Sequence, residues 1–184
     1  MDLKNKNIIV LGFPRSGTGY IAKYLQAYGF DVGHEKLGKN GTSDWRLVPG
    51  YTKKNNDFLI HVVRYPLNVI ASNAYTARME SMEIIRKTCD SPPTTILQVI
   101  INGCIWWNDT ITTYKPDIVI NVEQTSEQFK LEGLKGDLPP TNYNTRPHPK
   151  IEWWHLERLK NYTLTRLKKM MKEQGYGIPE DKLT

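Results

Sequence analysis

Ile8-Ile9-Val10-Leu11-Gly12-Phe13-Pro14-Arg15-Ser16-Gly17-Thr18-Gly19-Tyr20 joins an apolar run to a glycine-rich turn and then to a helical pattern, Tyr20, Ile21, Tyr24, Leu25 and Tyr28. Unbroken apolar residues suit a strand buried on both faces of a parallel sheet. The turn then opens a helix, whose first N–H groups lack intrahelical partners and whose dipole is positive at that end. Strand, glycine turn and helix in this order make a cradle for phosphate or sulfate. Glycine lets a ligand approach the backbone, Arg15 adds a guanidinium fork, and the Ser16 and Thr18 hydroxyls add donors. The competing reading is an ordinary strand–turn–helix corner.

Outward from this stretch, further apolar runs near residues 30–33, 57–63 and 117–122 predict three more strands. With intervening helices they give a three-layer α/β domain with a mainly parallel central sheet and a P-loop-like phosphate-binding strand–loop–helix. Residues 34–41 carry the glycines and polar side chains of a loop, and Thr42-Ser43-Asp44-Trp45 has the composition of a capped helix start. Helical patterns follow at 67–75, 79–90, about 94–114, 126–131 and 151–174, the last expected to bury Trp154, Leu156, Leu159, Leu164, Leu167 and Met171 and to end at Gly175. His61, inside the third strand, reads as a hydrogen-bonded core residue. Trp106 and Trp107 read as packing, and Trp45 as a pocket wall or a core lid. No repeat and no linker divides the chain, so residues 1–184 are expected to form one domain.

Two features narrow the chemistry. Gly12 and Gly17 have the spacing of the nucleotide-triphosphatase loop, yet Thr18-Gly19 stands where that motif has Lys followed by Ser or Thr. The phosphate lysine and the magnesium hydroxyl are both missing, which disfavours an ordinary ATPase. In an open α/β sheet the loop after the second strand lies on the ligand side, which brings His34 and Glu35 to the bound anion. Either could take a proton from an acceptor held within hydrogen-bond reach.

Pro14-Arg15-Ser16-Gly17-Thr18 resembles the 5′-phosphosulfate loop of sulfotransferases that use 3′-phosphoadenosine 5′-phosphosulfate (PAPS). Their pattern is Pro, Lys or Arg, Ser, Gly, Thr, Thr, and then Trp, Leu or Tyr. Gly19 departs from the second Thr, and Tyr20 matches the last position. Arg64-Tyr65-Pro66, with Ser72 eight positions after the arginine, resembles the 3′-phosphate motif of the same family. The resemblance implies a P-loop-like fold that transfers a sulfuryl group from PAPS to a hydroxyl of a carbohydrate, small molecule or protein, releasing 3′,5′-adenosine bisphosphate without a metal. It implies nucleotide contacts from Pro14, Arg15, Ser16, Gly17, Thr18, Gly19, Tyr20, Arg64 and Ser72. The polar, proline-rich stretch 138–150 loosely resembles a late basic loop that closes over the nucleotide in the family, with Asn144, Arg146, His148 and Lys150 as suitable donors; the competing reading is a surface linker. By the same resemblance Glu35 is favoured as the base with His34 second, Arg15 steadies the sulfuryl oxygens, and Glu123 is a strand-end hydrogen-bonding residue. The chain is shorter than many relatives, which leaves room for a homodimeric partner. The alternatives are a nucleotide or metabolite kinase and a nucleotide-binding module without turnover.

Composition reads as soluble and globular, at 39% hydrophobic and 24% charged residues over 184 positions. A net charge of +6 favours anionic partners, but Lys and Arg are dispersed and no specific nucleic-acid binding is expected. Cys89 and Cys104 have no metal-ligand spacing and read as buried thiols in a reducing, cytoplasmic setting. Neither a secretory leader nor a run of the roughly 20 apolar residues that span a bilayer is present, so no membrane association is expected.

Overall fold

The computed structural model describes residues 3–76, 79–89, 95–123, 147–156, 158–159 and 161–178. The elements run β1 (Asn7–Leu11), α1 (Thr18–Ala27), β2 (Val32–His34), β3 (Gly41–Ser43), a 3-10 turn (Trp45–Gly50), β4 (Asp57–Val63), α2 (Pro66–Thr76), α3 (Met79–Thr88), α4 (Ile96–Thr113), β5 (Ile118–Asn121), a second 3-10 turn (Trp153–Leu156) and α5 (Asn161–Glu173). They fall into two compact units, Met1–Arg64 with Trp107–Pro147, and Tyr65–Trp106 with His148–Thr184. The helical segment expected at 126–131 lies outside the described residues.

The first unit holds a five-stranded sheet in the order β2-β3-β1-β4-β5. Every pairing is parallel, with Ile8 opposite Phe58 and Gly41, and His61 opposite Val119. Side chains alternate along a strand, so β1 and β4 serve two faces at once. On one face Ile8, Val10, Phe58, Ile60, Val62 and Ile120 pack with Tyr20, Ile21, Tyr24 and Leu25 of α1. On the other, His61 Nε2 meets Asn108 Oδ1 of α4 at 3.0 Å. Helices therefore cover both faces, the three-layer α/β arrangement expected from the apolar runs. Each fully buried Leu or Ile in these layers contributes about 1.5–3 kcal/mol of transfer free energy.

The sheet has one strand that the sequence does not announce. Residues 41–43 form β3, inserted between β2 and β1, where a loop and a helix start are expected. The helical turn begins at Trp45, with Asp44 accepting the Arg46 backbone N–H at 2.9 Å. Asp44 is thus the cap, and Thr42 and Ser43 are strand. A strand this short carries no legible alternation, and its length of about 10 Å lets residues 35–40 bring the chain back in parallel without a helix. Ser43 then ties the new strand to the opening of α1, donating Oγ–H to the Thr18 carbonyl at 2.8 Å.

In the second unit, α4 and α5 are linked by Gln98 Nε2 and Thr163 Oγ1 at 3.1 Å. The single helix expected at 151–174 is a correction: the structure has a 3-10 turn and then α5 from Asn161. His155 Nδ1 accepts the Glu152 N–H at 2.9 Å, a local bond that competes with continuous helix. Trp154, expected inside, is 62% exposed, whereas Leu156, Leu167 and Met171 are buried. Gly175, at φ 77, closes α5, with the Tyr176 N–H on the Met171 carbonyl at 2.9 Å and the Gly175 N–H on the Lys172 carbonyl at 3.0 Å.

Burial lowers the His61 pKa to about 4, and burial raises that of the Cys104 thiol to about 12. Cys104 is accordingly inert as a nucleophile. His61 has a pH signature. The unfolded chain protonates near 6.5 and the folded chain only near 4, so between these values the unfolded state binds more protons and acid favours unfolding. Urea titrations from pH 7 to pH 4 are expected to show a His61-dependent loss of roughly 3 kcal/mol. That part of the slope should vanish in His61→Gln; an unchanged slope would remove His61 as its source.

Candidate functional site

All five strands point their C-terminal ends the same way. From β1 the chain passes through α1 toward β2 on one side, and from β4 it continues to β5 on the other. The crevice beyond the ends of β1 and β4 is thus the topological switch point, where open α/β sheets bind ligands. The turn after β1 and Arg64 after β4 both lie there.

The turn is tightly made. The Ser16 N–H bonds to the Phe13 carbonyl at 3.0 Å, Arg15 takes a left-handed φ of 72°, and Gly17, at φ 104°, caps α1 without a side-chain bond. A Cβ on Gly17 would stand 2.8 Å from Val122 Cγ1, so only glycine fits. Thr18 and Gly19 occupy the first helical turn, where backbone N–H groups have no carbonyl four residues back. Arg15 is half-buried, Ser16 and Thr18 are buried, and Tyr20 belongs to the core under α1.

His34 ends β2 with its imidazole over this first turn. A Cβ added at Gly19 would lie 3.1 Å from both His34 Cε1 and Nε2. A side chain at position 19 would therefore press on the His34 ring, which would have to shift by a few tenths of an ångström. Glu35 follows in a left-handed conformation, φ 54°. Its N–H bonds to the Ser43 carbonyl at 2.9 Å, its carbonyl accepts from Arg46 Nη2 at 2.8 Å, and its Oε1 accepts from Trp45 Nε1 at 3.1 Å. Arg46 is itself paired with Asp44 at 2.7 Å. Among the described residues the non-glycines with positive φ are Arg15, Glu35 and Lys115, and the first two follow the C-terminal ends of β1 and β2. Such conformations persist only where the surroundings enforce them, and they concentrate at functional sites.

Arg64 reaches the turn from the neighbouring strand. Its Nη1 lies 3.5 Å from the Arg15 carbonyl oxygen and its Nε 3.5 Å from Glu123 Oε1. Both contacts are at the long limit, and a part-exposed pair of this kind is worth at most about 1 kcal/mol. Glu123 sits just past β5, its N–H held by Asn121 Oδ1 at 2.9 Å. The structure therefore gathers Pro14 to Gly19, His34, Glu35 and Arg64 at the ends of β1, β2 and β4. Ser72 belongs to the second unit, buried on α2 two turns after Pro66. Arg146 lies outside the described residues.

The bonds of Trp45 and Arg46 to Glu35 and the seating of His34 on Gly19 have no sequence signal, since they join positions with no common period. At the other end of the sheet a recess of about 310 Å³ is lined by Lys6, Lys53, Lys54, Asn55, Asp57, Phe58 and Asp117. Its carboxylates are already engaged, Asp57 by Asn7 Nδ2 at 2.7 Å and Tyr51 Oη at 2.8 Å, and Asp117 by Lys53 Nζ at 2.8 Å and the Leu59 N–H at 2.7 Å. They tie strand ends together. Comparison with family models, curated proteins and solved structures gives no match for this chain.

Proposed function

We propose that this chain is a sulfotransferase that takes its sulfuryl group from PAPS and gives it to a hydroxyl acceptor, a carbohydrate, small molecule or protein. The observation that carries the reading is the 3.5 Å approach of Arg64, at the end of β4, to the Arg15 carbonyl of the glycine turn at the end of β1. Two anion-binding groups from adjacent strands suit a nucleotide with phosphates at both 5′ and 3′ positions. The fit is one of charge and space: first-turn amides, glycines in place of side chains, Arg15 and Arg64, with no lysine of the triphosphatase kind.

PAPS would supply an activated phosphosulfate. Thr18 and Gly19 backbone N–H groups with Arg15 would hold its 5′ anionic end, and Arg64 the 3′-phosphate. Glu35 would accept the acceptor's proton as the acceptor oxygen bonds to sulfur and the sulfur–oxygen bond to the 5′-phosphate breaks. His34, over the first turn, is the second candidate for that proton. Positioning and preorganised positive charge would provide most of the rate. We place the enzyme in the cytoplasm; among the described residues no helix is long and apolar enough to cross a membrane.

Titration with 3′,5′-adenosine bisphosphate, ATP plus Mg²⁺, and duplex DNA tests the reading. Metal-independent binding of the bisphosphate alone is expected, and a preference for ATP would turn the assignment toward a kinase. Glu35→Gln should keep bisphosphate affinity while lowering kcat by about 10²–10⁴-fold, the usual contribution of a general base. Full turnover in that variant would remove Glu35 as the base.

A further inference from the structure

We infer that Trp45 is a positioning residue for Glu35, and that the aromatic set Trp45, Trp107 and Phe13 locks the proposed base to the anion turn. The inference rests on the sulfotransferase reading for its kinetic consequences, and on geometry for the rest. Glu35 is an exposed residue whose side chain would sample several rotamers if left alone. Its Oε1 instead accepts the indole N–H of Trp45 at 3.1 Å. The main chain on both sides is also fixed, by the Ser43 carbonyl and the Arg46 guanidinium.

Trp45 is well anchored for this purpose. It is 6% exposed, and Trp107 Nε1 donates to its carbonyl at 3.0 Å. The Trp45 and Trp107 ring centroids are 6.2 Å apart, and Trp107 meets Phe13 edge-on at 5.6 Å and 67°. Phe13 is inside the turn between Gly12 and Pro14, and both it and Trp107 are fully buried. One continuous set of rigid rings thus runs from the turn that would hold the nucleotide to the carboxylate that would take the proton. Aromatic rings in edge or tilted contact resist sliding, and such pairs add about 0.5–1.5 kcal/mol beyond their buried area. A base displaced by 1 Å loses about a hundredfold in rate, so a bracket of this kind has a kinetic effect without touching the acceptor.

Trp45→Phe removes the N–H and keeps an aromatic ring. With the full chain, kcat is expected to fall about ten- to a hundredfold, while KM for PAPS and the affinity for 3′,5′-adenosine bisphosphate stay within about twofold. Glu35→Gln combined with Trp45→Phe should be no slower than Glu35→Gln alone, because the indole would act only through the carboxylate. A Trp45→Phe enzyme with wild-type kcat, or losses that multiply in the double variant, would overturn the inference. With Trp45 intact, its indole N–H proton resonance should move between wild type and Glu35→Gln; an unmoved resonance overturns the contact itself, and this readout needs neither turnover nor a folded Trp45→Phe. Wild-type protein that binds no bisphosphate and transfers no sulfuryl group would overturn the functional reading, and the kinetic role of Trp45 with it, while leaving the indole result to decide the contact.

Discussion

Replacing Arg64 with alanine is expected to weaken 3′,5′-adenosine bisphosphate binding by roughly 30-fold to a few-thousand-fold, about 2–5 kcal/mol. Much of that loss is the cost of leaving a phosphate charge without its partner in a partly desolvated crevice. Among the described residues the Arg64 contacts are long, 3.5 Å to the Arg15 carbonyl and 3.5 Å to Glu123. Breaking these long contacts has little structural cost, and the same substitution should change folding stability by no more than about 1 kcal/mol. Calorimetric titration in metal-free buffer, paired with thermal unfolding, separates the two effects. A binding loss under threefold would reduce Arg64 to a strand-end ion pair. Lysine at this position should recover only part of the affinity, because an ammonium lacks the planar fork that grips phosphate with two parallel bonds.

The second large effect belongs to the fold. Gly41 begins β3 at φ 140°, and a Cβ there would lie 1.9 Å from the Ile8 carbonyl oxygen, at the first pair of the β1–β3 ladder. No rotamer relieves a clash between a Cβ and backbone. Gly41→Ala is expected to cost about 3 kcal/mol or more, combining left-handed backbone strain with a broken strand pair. The loss should reach the site as well, because β3 carries Ser43, whose hydroxyl holds the Thr18 carbonyl and whose carbonyl holds the Glu35 N–H. Urea unfolding reads the stability, and hydrogen exchange at the Ile8 and Glu35 amides reads the pairing. A variant as stable as wild type, with those amides still protected, would show that β3 tolerates displacement.

The outer frame of the protein was legible in its amino acids. Ile8–Leu11 is apolar without interruption and Phe58–Val63 nearly so, broken by His61 alone, so a strand covered on both faces was the economical reading, and a parallel sheet with helices on either side followed. The glycine turn and Arg64 were legible for the same reason: each sits where a long, strongly marked strand ends. The proton-accepting candidates His34 and Glu35 came from the neighbouring loop together with the family resemblance, and β3 between them and β1 went unseen.

What the sequence determined by itself was therefore local and periodic: which runs are strands, where they end, and which residue types stand at those ends. The tertiary structure decided the rest. It inserted Gly41–Ser43 into the sheet, set the His34 imidazole in the space that Gly19 leaves, gave the Glu35 carboxylate to the Trp45 indole, and broke the C-terminal pattern into a 3-10 turn and α5. The physical reason is common to all four. A three-residue strand is too short to show a period, and a hydrogen bond or a steric fit between distant positions depends on backbone geometry that no single stretch of sequence contains.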